Sequence, residues 1–173
     1  HEPYPAIVVD RNWNMIMCND STTRFLGLLG EPEKIWQKVG CQSNKNIYRL
    51  TFHAAGLKPL IGNWLELAKT LLARLQREVN AAPENNELNM LLKDMIQASG
   101  IDMSAHISEE PHSLAPVIPM VITLGNMTLK IVSMISSFGT AQDVTTEELK
   151  VETFYPMDDI TIDFFKSMAE LKG

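Results

Sequence analysis

PVIPMVITLGNMTLKIVSMISSFGTAQDVTTEELKVETFY, residues 116–155, decides the fold. Gly125-Asn126 separates two apolar runs, and such a pair supplies the positive φ that a two-residue hairpin turn needs. Folding there sets Ile122 opposite Leu129, Met120 opposite Ile131 and Ile118 opposite Ser133, so one face of the hairpin is almost wholly apolar. Past a loop at 138–145, Leu149, Val151, Thr153 and Tyr155 alternate with Lys150 and Glu152. This predicts a third strand, with the two charged residues on a wet face. The dry face needs a cover, and the upstream helices must supply it.

Working back toward the N-terminus, 5–10 is a β-branched run with apolar side chains at both parities, as in a central strand covered on both faces. Arg11-Asn12 turns the chain into a second strand over 13–19, after which Asp20 or Ser21 caps a short helix carrying Phe25, Leu26 and Leu29. Short helices follow around Ile35 and over 45–53, and Gly56 and Pro59 end the second of them. The strongest helical period is Trp64, Ala68, Leu71, Leu75 and Val79, widened by Leu67 and Leu72, with charged residues on the opposite side. After Pro83 a second amphipathic helix carries Leu88, Leu91, Leu92, Met95 and Ile96, and a polar loop over 99–114 leads into the hairpin. Asp158 and Asp159 precede a closing helix with Ile162, Phe165, Met168, Ala169 and Leu171, placing acids at its positive end. Strands at both ends with helices between them predict an α+β fold. It has one five-stranded antiparallel sheet, helices packed on one face, and a single domain over 1–173.

A chain of 173 residues is large enough for one well-buried core. A net charge of −6 argues against a nucleic-acid grip by this segment, which would need clustered Lys and Arg. Cys18 and Cys41 are isolated from each other and read as reduced thiols. Ten methionines suggest a soft core able to repack, or ordinary core filler. No apolar run approaches the roughly twenty residues of a membrane span, and no signal peptide opens the chain, so a cytoplasmic location is expected. The chain opens on His1 rather than Met, and an upstream region is expected to precede it. His106, Glu109, Glu110 and His112 have metal-ligand chemistry but match no standard spacing, and residues 145–148 read as a capping box. No partnered nucleophile and no phosphate loop is legible, so no enzyme and no cofactor are expected.

Three segments carry a family resemblance: PYPAIVVDRNWNMIMCNDSTTRFLG at 3–27, NIYRLTFHAAGLKPLIGNW at 46–64, and SSFGTAQDVTTEELKVETFYPMD at 136–158. The first looks like the opening of a PAS-type domain. Together, in this order and over nearly the whole chain, they resemble the ligand-binding domain of MmyB-like transcription regulators. The resemblance implies a PAS-like sensor that follows an N-terminal helix-turn-helix of the XRE type and holds a fatty acid in its core. It also implies a sheet in which the first strand lies centrally beside the last. DNA would be met only through that helix-turn-helix, which this sequence does not contain.

Under that implication the candidate site is the space between helices and sheet, faced by Phe52, Leu60, Leu67, Leu71, Met120, Ile122, Leu129, Ile131 and Ile135. Each of these is equally a core residue. Arg49 suits a fatty-acid carboxylate, since a guanidinium can grip it through two hydrogen bonds, and suits an ion pair with a local acid just as well. His53 is a second candidate for the head group. Asn63 offers a helix cap or a polar contact, and Trp64 a pocket wall or a core anchor. The competing class is a ligand-free interaction module that dimerises through an exposed apolar patch. A homodimer is expected in either case.

Overall fold

The computed structural model describes residues 1–101, 119–138 and 149–170. The paired position of Ile118, the His106–His112 stretch, the capping box at 145–148 and Leu171 lie outside the described residues.

Five strands form one antiparallel sheet: β1 (Ala6–Val9), β2 (Met15–Cys18), β3 (Met120–Leu124), β4 (Met127–Phe138) and β5 (Leu149–Pro156), in the order β2-β1-β5-β4-β3. This is the plan expected of a PAS-like fold, with the first strand central and paired to the last. The hairpin register is as predicted, with Ile122 opposite Leu129 and Met120 opposite Ile131. Gly125 alone of the two turn residues takes a positive φ, +59°, as the first central position of a type II′ turn requires.

Among the described residues there are six α-helices: α1 (Asp20–Gly27), α2 (Pro32–Lys38), α3 (Ile47–Phe52), α4 (Trp64–Ala81), α5 (Asn86–Ser99) and α6 (Asp159–Glu170). The cap of α1 falls one residue earlier than expected. Asn19 accepts from the Thr22 amide, and its amide nitrogen also donates to the Tyr4 carbonyl, so one side chain serves both helix and strand. Gly56 lies where a methyl would collide with the Leu50 carbonyl oxygen, because the chain folds back there to bond Leu57 to Leu50.

Direct cross-strand partners share a face, so the registers sort the sheet's two sides. One side carries Ile7, Val9, Glu152, Leu129, Ile131 and Ile122, all buried beneath the helices. The other carries Met17, Val8, Val151, Met134, Tyr155 and Val132, none of them buried. Helices on one face are therefore as expected, and two expectations need correction. β1 is central, yet Ala6 and Val8 are only half covered, because strand centrality and two-sided burial are separate properties. On β5 the parity is inverted: Lys150 and Glu152 lie under the helices while Val151, Thr153 and Tyr155 face outward. The pairing of Glu152 with Ile7, and of Lys150 with Val9, leaves no alternative.

Candidate ligand-binding site

The helix-side core divides into two clusters. One joins Phe25, Ile35, Trp36, Leu50, Leu67 and Phe165 to Ile122, Leu129 and Ile131. The other joins Trp13, Tyr48, Phe52, Leu72 and Leu75 to β1 and α5. Trp64, Leu71 and Phe154 are only partly buried and pack against both, so they mark the seam. The space assigned from the sequence is thus divided: Leu67, Ile122, Leu129 and Ile131 are in the first cluster and Phe52 in the second. Leu60 and Met120 border the first, and Ile135, on the helix side of β4 opposite Glu152, is still 36% exposed.

The polar candidates are mostly engaged elsewhere. Arg49 on α3 donates to Asp94 on α5 at 2.6 Å, which satisfies the ion-pair alternative. His53 is exposed, and its Nδ1 accepts from the Ala55 amide. Asn63 does not cap α4. Its Oδ1 accepts from the Val121 amide at 3.0 Å and its Nδ2 donates to the Pro119 carbonyl at 2.7 Å, so it ties the start of α4 to β3 beside the Ile61–Ile122 bridge. Trp64 stands edge-on to Phe52 at 5.0 Å, and its Nε1 donates to the Ser99 carbonyl at 3.2 Å. Lys58 lies 4.9 Å from the Trp64 ring and donates to the Ala98 carbonyl, so both side chains satisfy the last carbonyls of α5.

Sequence reasoning missed a second polar group, on the seam itself. The edge of α4 presents Leu71, Arg74 and Glu78 at spacings of three and four, along the helix-side residues of β5. Lys150 Nζ donates to Glu78 Oε2 at 2.6 Å and sits 4.5 Å from the ring of Trp13, whose Nε1 donates to the same oxygen at 2.7 Å. Trp13 adopts φ +67°, a conformation that costs a bulky residue about 1–2 kcal/mol. Its ring is fully buried edge-on to Tyr48 at 5.0 Å. Burial pushes the Tyr48 phenol well above its usual range. Glu152 is 6% exposed; burial raises its pKa, Glu78 adds to that, and Ser133, Arg74 and Lys150 oppose it. The signal for this group was present as a Lys and a Glu on alternating positions of β5, but that pattern reads as solvent.

Two open depressions are bounded by described residues, and the second of them reaches the seam residue Trp64. One, of about 480 Å³, runs between α1 and α6 beside Leu28, Met127, Ile160 and Phe164, and one of about 380 Å³ flanks the first turn of α4. Among the described residues no helix is long and apolar enough to cross a membrane. No group of three or more His, Cys, Asp or Glu is arranged to hold a metal among them either.

The chain is similar to the PAS domain of BvgS from Bordetella pertussis, at 10% identity over 98% of this chain and 88% of that one, with a TM-score of 0.34. No curated protein matches it. The model of the MmyB-like transcription regulator ligand binding domain matches residues 1–167, nearly the whole length, and the chain belongs to that family.

Proposed function

We propose that this ligand-binding domain takes a fatty acid or a similar hydrophobic small molecule into its core and passes occupancy to a helix-turn-helix domain attached to it in the full regulator. The observation that carries the reading is the seam at Trp64, Leu71 and Phe154, where two packed clusters meet without full burial and Ile135 stays open on the covered side of the sheet. An acyl chain entering there would gain about 0.8 kcal/mol per buried methylene. A dozen carbons yield roughly 10 kcal/mol, comparable to the association cost of about 4–15 kcal/mol, so apolar burial supplies most of the driving force and polar contacts add to it. Signalling requires that the ligand prefer one arrangement of the domain, since equal affinity for two states shifts neither.

Native mass spectrometry of the purified domain, followed by solvent extraction, tests this reading. A stoichiometric fatty acid supports it. An apo mass with no uptake from a fatty-acid panel refutes it.

A second reading is self-association, favoured by the open face of the sheet. There Met17, Met134 and Tyr155 are exposed beside half-covered Val8, Val132 and Val151. Such a patch suits a homodimer contact. Light scattering decides it: a dimer that becomes a monomer on Met134→Lys supports this face, and a wild-type monomer at high concentration refutes it.

A further inference from the structure

Among the described residues, Arg74 and Glu152 form an opposite-charge pair on the seam that lacks close contact. Their shortest approach, Nη1 to Oε1, is 3.9 Å, too long for a hydrogen bond. Lys150 and Glu78, one helical turn further along, meet at 2.6 Å. Arg74 carries five N–H donors; the Tyr48 hydroxyl lies against the guanidinium and takes part of that capacity, while the nearest carboxylate among the described residues lies beyond bonding distance. Its guanidinium is 5.9 Å from the Trp13 ring, and its side chain is 26% exposed, so a solute can reach it. Leu71 stands one turn before it on α4, and Ile135 lies directly opposite Glu152 on β4. Charge and apolar lane thus share one edge of the helix.

We propose that Arg74 receives the anionic head group of the ligand, with Glu152 as a resident counter-ion that yields to the incoming carboxylate while the tail lies along Leu71, Phe154 and Ile135. This rests on the lipid reading above and names its head-group site. Before binding, Glu152 offsets the charge of Arg74; afterwards two carboxylates would share one guanidinium in a buried setting. Both cannot stay ionised there, so binding takes up one proton from solvent at Glu152. Its other neighbours pull both ways. Glu78 on α4 repels its charge and is itself held by Lys150 on β5 and Trp13. Tyr48 on α3 stays neutral, while Ser133 on β4 and Lys150 on β5 favour the ionised carboxylate, so it is the incoming carboxylate that drives the proton onto Glu152.

The test is calorimetric titration of the domain with dodecanoic acid and with dodecanol, in two buffers of different ionisation enthalpy near neutral pH. The acid should bind at least about tenfold tighter than the alcohol, the worth of one charge-assisted hydrogen bond, and should take up protons. Arg74→Gln should abolish the preference for the acid while sparing alcohol binding, and Arg74→Lys should keep part of it. Glu152→Gln should strengthen acid binding and remove the proton uptake. Arg77→Gln, on the exposed side of α4, should change neither. A preference for the acid that survives Arg74→Gln, or equal affinity of the wild type for acid and alcohol, overturns the head-group site and leaves the lipid reading standing. Uptake of neither probe overturns the lipid reading itself. If Arg74→Gln does not fold, unchanged acid affinity and proton uptake in Glu152→Gln are enough to overturn the site.

Discussion

Lys150→Ala tests the inverted face of β5 most directly. In the structure the lysine side chain is only 13% exposed, and its ammonium group donates to Glu78 at 2.6 Å and stands 4.5 Å from the Trp13 ring. Removing it costs one charge-assisted hydrogen bond, about 1.5–3 kcal/mol, and a partly desolvated cation–π contact of about 0.5–2 kcal/mol. It also leaves Glu78, 24% exposed, with the Trp13 N–H as its remaining partner. These terms overlap because they share one charge, so a loss of about 2–3 kcal/mol is expected. Urea unfolding followed by far-UV circular dichroism measures it. A double-mutant cycle with Glu78→Gln should show coupling of about 1–2 kcal/mol, whereas exposed pairs give less than about 1 kcal/mol. A loss below about 0.5 kcal/mol, as for a lysine on a solvated face, with no coupling to Glu78, would refute the burial of this strand face.

Glu152 should bend the pH profile of stability. Its folded pKa is raised, so its contribution to stability is fully present below the unfolded value of about 4.3 and is lost as pH rises through the folded value. Glu152→Gln removes that loss, so the variant should gain on the wild type as pH climbs from 4 toward neutrality, and parallel melting curves over that range would contradict it. Ile122→Ala deletes three carbons from a fully buried site. About 2.4 kcal/mol of transfer energy plus a cavity cost gives roughly 3–4 kcal/mol by chemical denaturation, and a value under about 1 kcal/mol would deny the packing described. Gly56→Ala forces a methyl against the Leu50 carbonyl and should cost about 3 kcal/mol; an unchanged melting temperature would show that the fold-back is absent.

What the sequence determined by itself were the features encoded by neighbours along the chain. The turn at Gly125-Asn126 and the parity of the flanking runs specify the Ile122–Leu129 and Met120–Ile131 pairs, because a period of two and a two-residue turn permit one register. The stripe on α4 and the acids at the start of α6 likewise follow from local spacing and the helix dipole. Tertiary structure alone decided which face of β5 is covered. Hydropathy places Lys150 and Glu152 in water, but pairing with Ile7 and Val9 of a strand some 140 positions earlier turns them inward, where Glu78, Trp13 and Arg74 make burial tolerable. The same limit governed the site. Arg49 could be given no named partner because Asp94 is 45 residues away, Asn63 stayed open between a cap and a polar contact because the Val121 amide is 58 residues away, and Arg74 looked like a surface charge because β5 is far off in the chain. Local pattern reports what a side chain prefers; the partners that overrule the preference come from elsewhere in the sequence, and only the folded chain brings them within reach.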